Sequence, residues 1–317
     1  MKEIVVISGK GGTGKTSLVA AFAALASKAV LADCDVDAAD LHLILNPEIF
    51  WKEKFSGGSS ARVLPGHCTA CGKCEEICQF DAIFFDGPGN GIQDKTFRVD
   101  PIACEGCGVC AWFCAEKAIE FAPSINGEWY KSDTRFGPMV HARLGVAEEN
   151  SGKLVSLVRK EAQQIAEERN LDLVIIDGSP GIGCPVIASV TGADLAVIVT
   201  EPTLSGLHDL KRVAALTQQF GITTMVCINK WDINPEISTA IENQALESGF
   251  IIGGRIRYDK AVTLAQIKKK SIVEYQSDGI AQDIKDIWSK VSMELPNTTR
   301  SAITRVPSEL SSTQPSS

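Results

Sequence analysis

The stretch GKGGTGKT, residues 9–16, decides the fold class of this chain. It follows the short apolar run EIVVI (3–7) and opens KTSLVAAFAALASK (15–28), a segment of good helix formers without glycine. The eight residues satisfy the pattern G-x-x-x-x-G-K-[ST] between a predicted strand and a predicted helix, which is the context that a phosphate-binding loop requires. Its glycines allow backbone N–H groups to turn inward around phosphate oxygens. We therefore interpret the stretch as a P-loop rather than as a coincidental glycine-rich turn.

Each residue of this loop has an expected task in nucleotide binding. Lys15 is expected to pair with the β- and γ-phosphates, and Thr16 to bind Mg²⁺. The helix N-terminus adds a field that favours the anionic phosphates. The predicted nucleotide-binding residues of this segment are Gly9, Lys10, Gly11, Gly12, Thr13, Gly14, Lys15, Thr16 and Ser17.

Apolar runs alternate with helical patterns in the second half of the chain. LDLVIID (171–177), DLAVIVT (194–200) and TTMVCIN (223–229) have the composition of buried strands. Residues 153–169 and 205–220 are candidate crossover helices. Alternation with fully apolar strands indicates a parallel sheet that is covered on both faces. The predicted fold class is α/β, with a doubly wound, mostly parallel sheet.

Lys10 is a second lysine inside the loop, and KGGTGKT resembles the deviant Walker A motif of the MinD/ParA/Mrp and nitrogenase iron-protein class of P-loop ATPases. The resemblance implies a dimer that encloses ATP between its subunits, with Lys10 reaching the nucleotide of the partner subunit. That dimer is either a homodimer or a heterodimer with a related ATPase. The alternative is that Lys10 is an ordinary solvated lysine of the loop.

Acidic residues end two predicted strands. AVLAD (29–33) leads into Cys34-Asp35, and the resemblance implies that Asp35 orients or activates the attacking water while Asp33 supports the loop. LVIID (173–177) resembles Walker B, so Asp177 is expected to hold Mg²⁺, directly or through water. The predicted catalytic residues are Lys10, Lys15 and Asp35. Strand-end or helix-capping roles are the alternatives for Asp33 and Asp35.

INKWD (228–232) ends a later strand, and the class implies that Asn229 contacts the base. The N-K-x-D string also resembles the guanine motif of GTPases, so Asp232 keeps GTP open beside the favoured ATP. Proteins of this class often have proline at the position of Arg257, so this chain departs from the class pattern there.

The pattern C-x₂-C-x₂-C-x₃-C occurs twice, at an offset of 36 residues. It resembles the spacing of bacterial ferredoxins, in which the fourth cysteine of each run ligates the other cluster. The resemblance implies two [4Fe–4S] clusters, and zinc or disulfides are the alternatives. The expected first cysteine set is Cys68, Cys71, Cys74 and Cys114, and the expected second set is Cys104, Cys107, Cys110 and Cys78.

Three cysteines lie outside these runs. Cys34 and Cys227 are predicted to be buried packing residues. Cys184 follows Asp177 closely, as a cluster-ligating cysteine follows the Walker B acid in the nitrogenase iron protein, so it is a speculative metal ligand at a dimer interface. A packing role is the alternative for Cys184.

The composition limits the classes of partner. The net charge is -8, which does not favour nucleic acid. No apolar run is long enough for a membrane span, no signal peptide is recognised, and eleven cysteines favour a reducing cytoplasm. Residues 63–123 hold nine acidic and four basic residues, which indicates docking to a basic redox or metallocluster partner.

The predicted organisation is an ATPase interrupted by a ferredoxin-like α+β insertion. Its parts are 1–62 (ATPase, first part), 63–123 (inserted domain), 124–293 (ATPase, second part) and 294–317 (a disordered tail). The main functional hypothesis is an ATPase that couples nucleotide state to electron transfer or to metallocluster assembly and delivery. The alternatives are a MinD/ParA-like positioning ATPase with structural or redox-sensing clusters, and a ferredoxin fused to a degenerate ATPase.

Overall fold

The computed structural model describes residues 1–145 and 151–295. In chain order the described strands are β1 (Lys2–Ser8), β2 (Val30–Asp33), β3 (Glu48–Phe55), β4 (Gly58–Val63), β5 (Ile83–Gly87), β6 (Thr96–Val99), β7 (Ile119–Ser124), β8 (Gly127–Thr134), β9 (Gly137–Leu144), β10 (Leu173–Pro180), β11 (Leu195–Thr200), β12 (Thr223–Asn229) and β13 (Ile251–Ile256). The described α-helices are α1 (Lys15–Leu25), α2 (Leu41–Leu45), α3 (Lys73–Glu76), α4 (Val109–Phe113), α5 (Ser151–Glu168), α6 (Cys184–Val190), α7 (Leu204–Gln219), α8 (Pro235–Glu247), α9 (Ala261–Ile267), α10 (Ile272–Tyr275) and α11 (Ile280–Glu294).

One large sheet organises the molecule. Its spatial order is β13-β12-β11-β1-β10-β2-β9-β8-β3. Every neighbouring pair from β13 to β9 is parallel, whereas β8 pairs antiparallel with both β9 and β3. The three apolar runs of the second half form β10, β11 and β12, as predicted from their composition.

Helices cover both faces of the sheet, so the prediction of a doubly wound, mostly parallel sheet is confirmed. On one face α5, α7 and α8 bury Val158, Val213 and Ile241 against the strands. On the other face α1 and α11 bury Phe22 and Ile284. Each such side chain contributes about 1.5–3 kcal/mol when it leaves water. Both faces of the central strands are therefore apolar, which explains why their sequences do not alternate.

The strand register brings the predicted acids together. In β1 and β10, Val6 lies opposite Asp177, and in β10 and β2, Asp177 lies opposite Asp33. These positions lie at the carboxyl ends of adjacent parallel strands, beside the P-loop that leaves β1. Ligands of open α/β sheets bind at this kind of edge.

Two regions differ from the sequence-based expectation. The alternation of strands and helices expected for the second half of the chain does not hold at residues 127–144, which form an antiparallel hairpin that β3 extends at the sheet edge. The glycine, serine and proline residues of segment 55–66 are typical of a linker, and this interpretation is wrong for Gly58–Val63. That stretch is strand β4, because Ile119–Ser124 supplies a complete antiparallel partner.

The cysteine-bearing segment builds two small sheets of its own, β4 with β7 and β5 with β6. A small core joins them, formed by Ala61, Val63, Ile83, Phe97 and Cys110. A ferredoxin-like fold for this segment, and the boundaries at 63 and 123, stay predictions. The predicted tail 294–317 falls outside the described residues except for Glu294, which ends α11, and Leu295.

Candidate functional site

The phosphate loop connects β1 to α1 at the carboxyl edge of the sheet. Gly14 is the residue before α1 and has a φ of +93°, and no side chain caps the helix. A Cβ at Gly14 would stand 2.5 Å from Nδ2 of Asn229. The same Nδ2 donates a hydrogen bond to the Thr13 carbonyl at 2.8 Å. The loop is thus held against the end of β12, and the first N–H groups of α1 are directed to where an anion binds.

Lys15 and Asp35 form a buried ion pair at this loop. Nζ of Lys15 lies 3.3 Å from Oδ2 of Asp35, and both residues are buried. Burial raises the pKa of Asp35, and the Lys15 ammonium opposes that rise. A phosphate that takes over Lys15 would release the Asp35 carboxylate towards the nucleotide.

Asp33 is satisfied by the backbone of the loop that follows it. Its two oxygens accept hydrogen bonds from the N–H of Asp35 at 3.2 Å and of Leu41 at 3.3 Å. Burial and the neighbouring Asp177 raise the pKa of Asp33 well above its usual range. These contacts agree with its expected role in supporting the loop.

Asp177 is fully buried, and neither of its carboxylate oxygens has a hydrogen-bond partner among the described residues. Burial raises its pKa to about 6, while the positive charge of Lys15 and the Thr16 hydroxyl, which is near but not in hydrogen-bond geometry, oppose that rise. An unpaired buried carboxylate is costly unless a cation or donor meets it. A carboxylate beside the Thr16 hydroxyl fits the donor set that Mg²⁺ takes in nucleotide sites.

The Lys10 side chain contacts the end of β11 and the start of α7. Its Nζ lies 3.5 Å from Oε2 of Glu201 and 3.3 Å from Oγ of Ser205. Glu201 also binds Lys230. The predictions singled out neither Glu201 nor Ser205, since both lie about 190 residues from Lys10 in the chain and no local motif marks them.

A cavity of about 240 Å³ lies beside the loop and is the candidate base pocket. Asn229 lines it, as expected, together with Gly14 and Arg257. Asp232 does not line it; its Oδ1 instead accepts a hydrogen bond from the Tyr258 N–H at 2.8 Å. This bond uses one oxygen of an exposed carboxylate, so it does not decide between ATP and GTP.

The predicted cysteine sets lie around two separate cavities. One cavity, of about 180 Å³, is lined by all four cysteines of the first set, Cys68, Cys71, Cys74 and Cys114. The other, of about 20 Å³, is lined by all four of the second set, Cys104, Cys107, Cys110 and Cys78. In each cavity one cysteine therefore comes from the opposite run.

The cysteines of these cavities do not form a clear site for a single metal ion. Among the described residues, no three His, Cys, Asp or Glu side chains converge closely enough to hold one metal ion. A four-iron cube separates its four thiolates more widely than one tetrahedral ion does. Burial raises the pKa of the Cys74 thiol to about 11, as expected for a thiol without a cation beside it. The clusters stay a prediction.

The three cysteines outside the two runs lie in different environments. Cys34 and Cys227 are buried and pack in the core. Cys184 is exposed at the first position of α6. A Cβ at Gly152, in α5, would lie 3.2 Å from the Cβ of Cys184, so the starts of α5 and α6 are in contact. A metal at Cys184 stays a prediction.

Comparison with known proteins places this geometry in a family. Residues 4–272 match the CbiA family, described as the CobQ/CobB/MinD/ParA nucleotide binding domain. The uncharacterized protein MJ0578 of Methanocaldococcus jannaschii is 36% identical over 241 residues, which cover 73% of this chain and 79% of that protein.

Solved structures agree on the fold. The MinC:MinD cell division protein complex of Aquifex aeolicus matches with a TM-score of 0.56 and 20% identity, covering 95% of this chain and 99% of that chain. MinD of Pyrococcus horikoshii complexed with Mg-ADP matches with a TM-score of 0.52 and 16% identity, covering 92% and 95%. In the part of the chain that the structure describes, no helix is long and apolar enough to cross a bilayer.

Proposed function

We propose, since the chain belongs to the CobQ/CobB/MinD/ParA nucleotide-binding family, that it is a MinD/ParA-like ATPase that hydrolyses Mg-ATP between two associated subunits. The observation that carries the proposal is the meeting of Lys15, Asp35 and the unpaired Asp177 around one phosphate loop. Lys15 supplies positive charge to the phosphates, and Thr16 and Asp177 hold Mg²⁺. That ion neutralises phosphate charge when bound.

The Lys15–Asp35 pair supplies the step from binding to hydrolysis. An incoming phosphate competes for the Lys15 ammonium, since it carries more negative charge than one carboxylate. Asp35 then becomes free to orient water in line with the γ-phosphate. Lys10 serves the partner subunit's nucleotide once it leaves Glu201.

Phosphate release from ATP by the purified chain tests this proposal. Lys15→Ala is expected to abolish turnover, and Asp35→Ala to lower it at least about 100-fold while ATP still binds. Lys28→Ala, at the end of the sequence segment that follows the loop, is the matched charge control. Turnover that survives Lys15→Ala would restore the reading of a degenerate ATPase.

The first candidate output of this switch is positioning of a partner protein. MinD of Aquifex aeolicus is a cell division protein that forms a complex with MinC, and it shares this fold. ATP-dependent sedimentation of the chain with liposomes or with DNA would support such an output. If neither surface retains the protein in the presence of ATP, positioning on those surfaces is refuted.

The second candidate output is redox or metallocluster chemistry, and the two cysteine cavities favour it. Eight thiols around two separate cavities match the number of ligands that two four-iron clusters need, although the second cavity, of about 20 Å³, would have to open to admit a cluster. Such clusters carry single electrons when bound. Protein purified without oxygen is expected to hold about eight iron atoms per chain with the absorbance of four-iron clusters. An iron-free, correctly folded chain would refute this candidate.

The place where the cysteine segment leaves and rejoins the large sheet, which we call its root, lies at residues 55–57 and 126. Its contacts support coupling between such clusters and the ATPase. Asn126 ties the outgoing and returning strands together, because its N–H donates to the Phe55 carbonyl at 2.9 Å and its Oδ1 accepts from the Gly57 N–H at 2.8 Å. The segment is thereby clamped where it joins the large sheet.

Hydrogen bonds continue from this root to both nucleotide loops. The N–H of Gly145 donates to the Asn126 carbonyl at 2.7 Å, and the adjacent Leu144 donates to the carbonyl of Val36, next to Asp35, at 3.2 Å. On the other side Lys153 donates to the Gly57 carbonyl at 2.6 Å. Lys153 lies in the first turn of α5, which contacts the start of α6 after Asp177. A nucleotide-driven shift of either loop therefore has a bonded path to the cysteine segment.

A further inference from the structure

A concave apolar surface lies beside the second cysteine cavity. It is formed by Val109, Trp112, Phe113 and Phe121 and encloses about 550 Å³. We call these four residues the Trp112 surface. Trp112 is 86% exposed, and the other three are between 40% and 51% exposed. A cluster of exposed aromatic side chains of this kind marks an interaction site more often than ordinary surface.

Cys107 connects this surface to the second cysteine cavity. It lines the concave surface, and it also lines the cavity with Cys78, Cys104 and Cys110. Cys107 is exposed. A molecule seated on the Trp112 surface would therefore touch a predicted cluster ligand directly.

The internal repeat shows that the two cysteine runs differ at two helical positions of this surface. At the offset of 36 residues, Val109 corresponds to Lys73 and Trp112 to Glu76. Glu76 and Lys73 are exposed and charged, whereas Phe85, which corresponds to Phe121, is an exposed aromatic residue like its counterpart. The two runs therefore differ at these two positions although their cysteine spacing is the same, and Phe113 borders the first cavity as well.

The net charge of the whole segment favours one class of occupant, although Nζ of Lys73 itself lies 5.7 Å from the centre of the Phe113 ring. Residues 63–123 carry nine acidic and four basic residues, and bound iron–sulfur clusters with four thiolates each would add negative charge. A second copy of this chain would bring the same acidic surface, and an anionic membrane would be repelled. A protein with an apolar contact face and a basic rim is complementary.

We propose that the Trp112 surface docks a one-electron carrier protein with a basic rim, which exchanges electrons with a cluster on the Cys107 side. The proposal rests on the second candidate output. One electron leaves a reduced four-iron cluster and reduces the oxidised centre of the carrier. No bond forms or breaks, and no proton moves.

Binding of cytochrome c, a small basic haem protein, to the anaerobically purified full chain tests the proposal. We expect Trp112→Ala to weaken the Kd at least about tenfold at low ionic strength, since exposed tryptophans are frequent anchors of interfaces. Ile92→Ala is the matched control, because Ile92 is 87% exposed in the same segment and lies outside this concave surface. Val109→Glu is a second variant, since an acid is tolerated at the first helical position of α4.

Electron transfer gives a second readout. The rate from the reduced, desalted chain to ferricytochrome c is expected to fall with Trp112→Ala and with rising salt, because docking is electrostatic and apolar. The rate to ferricyanide, a small acceptor that needs no docking face, is expected to change less than about twofold.

The outcomes separate the docking proposal from the proposed function. An iron-loaded chain whose Kd is unchanged by Trp112→Ala overturns docking alone. An iron-free wild-type chain overturns the second candidate output and the electron path with it. A variant that instead loses self-association or vesicle binding assigns the surface to a second copy or to a membrane and overturns the proposal.

Discussion

Asp177 lies in the core with two carboxylate oxygens that accept no hydrogen bond from the described residues. The position of Asp177 near the phosphate loop was predicted from the sequence, because LVIID (173–177) is an apolar run that ends in an acid and resembles Walker B. The sequence did not predict that Lys15 pairs with Asp35. That pairing depends on the distance between a side chain at the start of α1 and one in the loop after β2. The partners of Lys10 were missed for the same reason.

Asp177→Asn is expected to stabilise the metal-free protein. Its folded pKa of about 6 lies above the value of 3.8 for an exposed acid, so its contribution to stability is present below about pH 4 and is lost as pH rises through about 6. At pH 7 in EDTA the variant should exceed wild type in free energy of unfolding by about 1–3 kcal/mol. Denaturant unfolding from pH 4 to 7 measures this difference.

Two comparisons make that measurement specific. Burial lowers the pKa of His141 to about 4, which changes stability in the opposite direction over this range, so only the difference between wild type and variant is informative. Mg-ADP should stabilise wild type and not Asp177→Asn. A variant that is less stable than wild type in EDTA would contradict an unpaired buried carboxylate.

At the level of elements, strands were predictable where burial decides their composition. β10 and β12 are apolar along most of their length, and their runs were recognised. β3 was missed because EIFWKEKF is exposed at a sheet edge and mixes charges with aromatic residues. β4 was missed because GSSARV resembles a linker, and its partner strand β7 lies about 60 residues away.

Strand β4 approaches the second cysteine run so closely that only glycine fits at position 106. Gly106 has a φ of +63°, and a Cβ there would stand 2.0 Å from the Ser59 carbonyl oxygen. Gly106→Ala should therefore displace the neighbouring Cys107 and lower the iron content by about half, through loss of the second cluster. Iron analysis of anaerobically purified protein measures this.

Gly91→Ala is the control for that variant. Gly91 has a φ of +85°, but a Cβ there meets no atom within 4 Å. It carries the same backbone strain without the clash, so its iron content should match wild type. Equal iron losses in both variants would show that strain rather than the contact with β4 is responsible.

For the whole molecule, the position of the cysteine segment between Asp35 and Asp177 was evident from the chain order. The contacts at its root were not, because Lys153 and Gly57 are 96 residues apart and belong to no shared motif. Long-range bonds of this kind follow from packing of the finished fold.

Lys153→Met should weaken the response of the ATPase to redox state. Reduction with dithionite is expected to change the turnover number of wild type at least about twofold, within the usual range of coupling free energies. The variant removes the bond to the Gly57 carbonyl and should show a smaller change. Lys160→Met, an exposed position on the same helix, should respond as wild type does. Identical responses in all three proteins would refute coupling through this root.

The pairing of Lys2 with Leu173 and of Ile4 with Leu195 has a consequence for synthesis on the ribosome. Strand β1 is made first, yet both of its neighbours emerge more than 160 residues later. All strand partners within residues 58–124 are complete long before then. At about 5–20 residues per second, the cysteine segment has several seconds in which to fold and acquire metal. Uptake of the clusters proposed above can therefore precede closure of the nucleotide site, and iron starvation would then act on a nascent chain.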